Sequence, residues 1–202
     1  MPLAVVQALW VVDSTPIECG RSRETAKRSD LAGRAEYGNC ASRSGDSWGL
    51  RLHLVCTRHD LPVAFGLAGA KTPKRRGVLL DILTAEPALI AERPGQTIIA
   101  DKKHYGREFA QQLADLGAQL LLPARKGELE RPGSTLFEPP RQLIESVNQT
   151  LEAQLGLEHH GGRTPWRGTV RVLQRCLALT GAVWHNARTD QPVLRLLTAF
   201  DH

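Results

Sequence analysis

Apolar residues fall in short runs separated by polar, glycine-bearing stretches, and the period of the runs changes along the chain. Residues about 4–18, 48–57 and 61–69 are rich in Val, Leu and Trp and read as strands, with Arg58-His59-Asp60 turning the last two into a hairpin. These three strands suit an antiparallel meander. The stretch 19–47 between the first two is polar and basic without a sustained period, which predicts a long loop. Val78, Leu79, Ile82, Leu83 and Leu89 then predict a helix over about 77–91, with Pro87 disturbing its last turns.

A second pattern begins at Thr97. A strand ending in Asp101 precedes a helix that places Phe109, Leu113 and Leu116 on one side and stops at Gly117, and Gln119–Pro123 follows as another strand. Strand, helix and strand in that order imply a right-handed parallel crossover, so the predicted sheet is mixed, and ligands of such sheets sit at the carboxyl ends of the parallel strands. A linker over 126–138, with a turn at Arg131–Ser134, leads into a helix that starts at a Pro-Pro pair and stops near Gly156. Its expected apolar face carries Leu143, Ile144, Val147, Leu151 and Leu155, and its polar face Arg141, Glu145, Asn148 and Glu152. A last helix over about 168–185 is expected to turn Val170, Leu173, Leu177 and Val183 inward and Arg171 and Arg175 outward.

Length and charge narrow the class. With 202 residues and 42% hydrophobic content the chain supports one domain with a real core, alone or with a small appendage, and excludes two large domains. A net charge of +5 and a pI near 9.3 favour an anionic partner, because the excess is clustered. One cluster is Lys71, Lys74, Arg75 and Arg76, a second Arg21, Arg23, Lys27, Arg28 and Arg34, a third Arg163, Arg167, Arg171 and Arg175. Cys19, Cys40, Cys56 and Cys176 show no metal-binding or disulfide spacing, so a reducing cytosol is expected. The apolar N-terminus lacks the basic front and small-residue cleavage site of a signal peptide and reads as a buried strand; no run reaches the roughly 20 apolar residues of a membrane helix.

Three acids stand out. Asp13 closes Ala8–Val12, Asp101 closes Thr97–Ala100, and Glu145 lies on the polar side of its helix; two strands and one helix thus deliver three carboxylates, a donor set for hard divalent cations. Each also has an ordinary reading: Asp13 as a turn residue, Asp101 as a helix N-cap, Glu145 as the i, i+4 partner of Arg141. Candidate phosphate contacts are Lys102, Arg141, Asn148, Arg163 and Arg167, with Trp166 as a possible stacking surface or a core residue. Adjacent His159 and His160 point apart and mark a turn rather than a metal site. No helix-turn-helix is visible, so sequence-specific DNA reading has no evident agent here.

The phrases Val12-Asp-Ser-Thr-Pro16, Arg23–Gly33, Trp48–Leu54, Ile99-Ala-Asp-Lys102, Arg141-Gln-Leu-Ile-Glu-Ser-Val-Asn148 and Glu158-His-His-Gly-Gly-Arg163 together resemble bacterial insertion-sequence transposases of the DDE class, with the insertion-sequence-982 family the best match. The resemblance implies a ribonuclease-H-like catalytic domain over 1–160 and a helical extension over 161–202 packed on it. It implies Asp13, Asp101 and Glu145 as catalytic metal ligands. Two Mg²⁺ ions, replaceable by Mn²⁺, would serve cleavage and strand transfer on DNA. The implied partners are the element's terminal inverted repeats and target DNA, with a homodimer assembled on DNA in the bacterial cytoplasm, at the nucleoid, and no membrane. The chain departs from the family at Lys103-His104, where a small or amide residue and a tyrosine are usual. It also starts just upstream of the first catalytic strand, which suggests loss of an N-terminal DNA-binding region and opens the alternative of an inactive, truncated remnant that binds DNA nonspecifically.

Overall fold

The run that begins at Leu9 forms β1 (Leu9–Gly20). Trp10, Val11 and Val12 are buried in succession, the mark of a strand covered on both faces, and the pattern then alternates through Thr15 and Ile17. The computed structural model describes residues 9–20, 22–40, 45–71, 75–124, 127–128 and 138–189. The expectations for residues 4–8, for the Arg131–Ser134 turn and for the cluster members Arg21 and Lys74 lie outside the described residues.

Among the described residues six strands form one sheet: β1, β2 (Glu36–Cys40), β3 (Gly45–Thr57), β4 (Pro62–Gly69), β5 (Gln96–Ile99) and β6 (Ala118–Leu121). The order is β2-β3-β1-β5-β6, with β4 also paired to β3. β2 and β3 are antiparallel, whereas β1, β5 and β6 are parallel, so the sheet is mixed, as the sequence led us to expect. The chain divides into two compact units, one of Met1–Asp13, Leu54–Gly66 and Lys74–Glu145, the other of Ser14–His53, Leu67–Pro73 and Ser146–His202.

In the first unit β5 pairs with β1 through Leu9↔Thr97, Trp10↔Ile98 and Val11↔Ile99, and β6 continues the parallel register on the far side of β5. Helix α2 (Arg75–Ala85) ends two residues before Pro87, which stands at the N-cap of the short α3 (Ala88–Ala91), as its missing N–H and fixed φ require. Helix α4 (Arg107–Asp115) makes the crossover from β5 to β6. Trp10, Val12, Val55, Leu79, Leu83, Ile98, Phe109 and Leu113 share one core. Leu116 is exposed, contrary to expectation, because α4 has already ended and Leu116 is its C-cap ahead of Gly117 at φ +87°.

The second unit corrects the expected loop over 19–47. Ser22 accepts a hydrogen bond from the Thr25 N–H and starts α1 (Arg23–Arg28), and β2 pairs with β3 from Glu36↔Gly49 to Cys40↔Gly45. Both elements are too short to show a period. Gly49 has no room for a side chain, since a Cβ would run into the Ile17 carbonyl.

Helix α5 (Glu138–Gln149) passes into a π-helical turn, Thr150–Gln154, and ends before Gly156 at φ +57°. Ile144, Val147 and Leu151 are buried as expected, but so is Asn148, which was assigned to the polar face. At 100° per residue Asn148 lies about 40° from Ile144, inside the buried sector. Helix α6 (Pro165–Arg188) buries Gly168, Val172, Cys176, Leu179, Val183 and Asn186. Leu173 and Leu177, expected inside, are exposed: the inward face is the one where Gly168 allows close approach, and a Cβ on Gly162 would sit 2.6 Å from the Gly168 Cα. Arg175 is partly buried, not outward, and its guanidinium donates to the carbonyls of Leu155 and Gly156 at 2.9–3.2 Å, closing the end of the π-helical turn.

Two stability predictions follow from this packing. Leu113→Ala empties a fully buried site at the crossover and is expected to cost about 2–5 kcal/mol. Gly49→Ala forces a methyl into backbone and is expected to cost about 1–3 kcal/mol. Urea denaturation followed by circular dichroism checks both; an unchanged midpoint for either variant contradicts the packing described.

Candidate active site

Asp13, Asp101 and Glu145 line one cavity of about 640 Å³ in the first unit, together with Val11, Ile99, Lys102, Lys103, Arg141 and Ile144. The parallel register explains why the two aspartates meet there. Val11 and Ile99 are the last registered partners of β1 and β5, and each aspartate lies two residues further along its chain, on the same side of the pleat. Asp13 is half-buried within β1, not at a strand end, so it is no turn residue. Asp101 lies just past β5, and Glu145 projects from α5 one turn after Arg141.

The chain supplies its own countercharges. Arg141 Nε donates to Glu145 Oε1 at 3.0 Å, a pair in which both side chains are largely exposed. Asp101 Oδ2 faces Arg75 Nη1 at 3.4 Å; its Oδ1 accepts from the Lys103 N–H at 3.0 Å and lies 2.8 Å from His104 Nδ1. Burial by itself would raise the Asp101 carboxyl, but the His104 hydrogen bond, the Arg75 charge and the Lys103 N–H outweigh it and hold the group below its ordinary value. Asp101 is thus both an N-cap, of the 3-10 helix Lys102–His104, and a lining residue of the cavity. Arg75, read from sequence as one of a surface basic cluster, is the residue that faces it. His104, noted from sequence only as a departure from the family pattern, is buried. The Asp-x-x-His spacing at a strand end was the available signal for this contact.

Three carboxylates around one cavity fit a hard divalent cation in donor chemistry, and the guanidiniums set against two of them show where positive charge is wanted. As the side chains stand, no three His, Cys, Asp or Glu groups among the described residues are gathered closely enough to ligate one ion. Glu145 is the carboxylate with freedom to move, since its side chain is 57% exposed.

Of the remaining candidates, Lys102 lines this cavity; Asn148, Arg163 and Arg167 belong to the second unit. Arg163 lines a separate cavity there with Cys19, Arg28 and His160. In that cavity His160 Nδ1 accepts from the Gly162 N–H at 3.0 Å and its Nε2 lies 3.6 Å from Cys19 Sγ. Burial raises the thiol and lowers the imidazole, so the pair is a neutral contact holding the His-His-Gly-Gly turn, not an activated nucleophile. Trp166 is 75% exposed, which removes the core reading. Cys19 and Cys176 are in no disulfide, and no helix among the described residues is long and apolar enough to cross a membrane.

Comparison with known proteins bears on these features. The chain is similar to a piggyBac transposase in a synaptic complex with hairpin DNA, at 11% identity and a TM-score of 0.47 over 93% of this chain and 49% of that one. It is also similar to a simian T-cell lymphotropic virus intasome in complex with a PP2A regulatory subunit, at 15% identity and a TM-score of 0.44 over 82% of this chain and 47% of that one. The chain therefore spans about half the length of either. No curated protein matches it. The family described as Transposase DDE domain matches residues 7–134, a span that includes Asp13 and Asp101 and ends before Glu145. With well over half its length matched, the chain belongs to the transposase DDE domain family.

Proposed function

We propose that this chain is the catalytic domain of an insertion-sequence transposase of the insertion-sequence-982 type, cleaving DNA at element ends and transferring the strands to a target. The observation that carries the proposal is the placement of Asp13, Asp101 and Glu145 around one cavity whose rim also holds Lys102, Lys103 and Arg141. The acids are the proposed ligands of two Mg²⁺ ions, which when bound supply Lewis acidity toward the attacking and leaving oxygens. Mn²⁺ is a suitable substitute.

The chain's own residues do the rest. Lys102, Lys103 and Arg141 draw a phosphodiester to the cavity mouth, and salt-dependent, sequence-independent affinity follows from such contacts. Arg141 has two roles in this reading. It compensates Glu145 when no ion is present, and it turns to the phosphate once Glu145 is recruited as a ligand. Arg163, Arg167 and exposed Trp166 offer cations and an aromatic face to DNA, and Asn148, one turn beyond Glu145, orients the glutamate or contacts phosphate. Residues 161–202 are read as a helical extension of a catalytic domain over 1–160. Function at the bacterial nucleoid as a homodimer on paired DNA ends completes the reading. A second reading, a non-catalytic relative that binds DNA without sequence preference, is favoured by the ion pairs that now engage Glu145 and Asp101.

Two outcomes separate these readings. On DNA carrying the flanking inverted repeats, the chain is expected to nick and join strands with Mg²⁺ or Mn²⁺, and Glu145→Gln to reduce the rate at least about a hundredfold. A folded wild-type chain with no metal-dependent activity supports the non-catalytic reading. Arg141→Ala is expected to weaken DNA binding and to lower the slope of log affinity against log salt by about one unit; an unchanged slope in a fluorescence anisotropy titration removes Arg141 from the phosphate contacts.

A further inference from the structure

Asp101 is gripped from within its own turn. Oδ1 receives the Lys103 N–H and lies 2.8 Å from His104 Nδ1, while Oδ2 is met by Arg75 at the longer distance of 3.4 Å. His104 is only 2% exposed and packs beside Phe109, with ring centroids 6.0 Å apart. Its Nε2 is buried and has no hydrogen-bond partner among the described residues. A proton on Nε2 would be buried without an acceptor, whereas a proton on Nδ1 is donated to Asp101, so the tautomer that leaves no buried N–H unpaired is the Nδ1–H form. With two donors already on Oδ1, Oδ2 is the oxygen with capacity for an incoming cation.

We propose that His104 is a positioning residue: as an Nδ1–H donor it locks the Asp101 carboxylate so that Oδ2 is presented to the cavity as a single-oxygen ligand. This inference rests on the reading of Asp101 as a metal ligand. The lock replaces rotational freedom about the Asp101 side chain with a fixed orientation, the usual effect of a hydrogen-bonded neighbour on a ligating group. Phe109 in turn steadies the ring, which ties the carboxylate to the core under the crossover.

The test uses the full chain and Mn²⁺ alone as probe, its free concentration read by electron paramagnetic resonance. His104→Leu keeps the buried volume and removes the donor; His104→Asn restores an N–H near the position of Nδ1. The expected result is about tenfold weaker Mn²⁺ binding in His104→Leu, near-native binding in His104→Asn, and loss of binding in Asp101→Asn. If Asp101→Asn abolishes binding while His104→Leu leaves it unchanged, the positioning role is wrong and the ligand reading stands. If Asp101→Asn leaves binding unchanged, the ligand reading fails and the proposal falls with it. Long-range ¹H–¹⁵N correlation on the wild-type chain reports the tautomer independently of any variant's folding: a proton on Nδ1 supports the lock, and a neutral ring protonated on Nε2 overturns it.

Discussion

The site depends on the parallel register between β1 and β5. Pairing Val11 with Ile99 sets Asp13 and Asp101 each two residues beyond the last registered pair, on the same side of the pleat. A slip of one residue would turn one aspartate to the opposite face of the sheet. The register is held by burial on both sides: Trp10 and Val12 of β1, Ile98 of β5 and Phe109 and Leu113 of the crossover helix share one core. Catalytic geometry of the kind proposed here is therefore a consequence of core packing several residues away.

Charge placement forms a second layer. Acids brought together without compensation would repel and raise one another's pKa. Here Arg75, Arg141 and the donors of the Lys102–His104 turn offset that repulsion, with Asp101 kept ionised by His104, Arg75 and the Lys103 N–H despite its burial. The two guanidiniums differ in how firmly they are held. Arg75 is mostly buried against Asp101, whereas Arg141 and Glu145 are both solvent-exposed, a kind of pair that contributes little to stability and parts readily. On the reading proposed, the exposed pair is the one that opens.

Much of this was legible in the sequence because it was written in long-period signals. The strand-helix-strand order follows from the change of period, and the stop at Gly117, the break at Pro87 and the turn at Gly156 each follow from one residue's backbone preference. The elements α1 and β2 were not legible by period, since six and five residues show none; only the Ser22 cap hinted at the first. Asn148 and the leucines of α6 show a different limit. A helix face was assigned from residue type, but packing chose Gly168 and Cys176, where small side chains admit a neighbour, over Leu173 and Leu177. The contact of His104 with Asp101 escaped notice because burial of a polar ring beside an acid is a tertiary fact, visible in sequence only as Asp-x-x-His.

The central claim is that Asp13, Asp101 and Glu145 together form one site for divalent metal ions. Iron-directed cleavage of the polypeptide tests it most directly, since Fe²⁺ in a Mg²⁺ site generates hydroxyl radicals that cut the nearest backbone when ascorbate and peroxide are added. The account predicts three groups of cuts, near residues 13, 101 and 145, all suppressed by excess Mg²⁺. Cuts confined to one of these segments, or located elsewhere and indifferent to Mg²⁺, would contradict it.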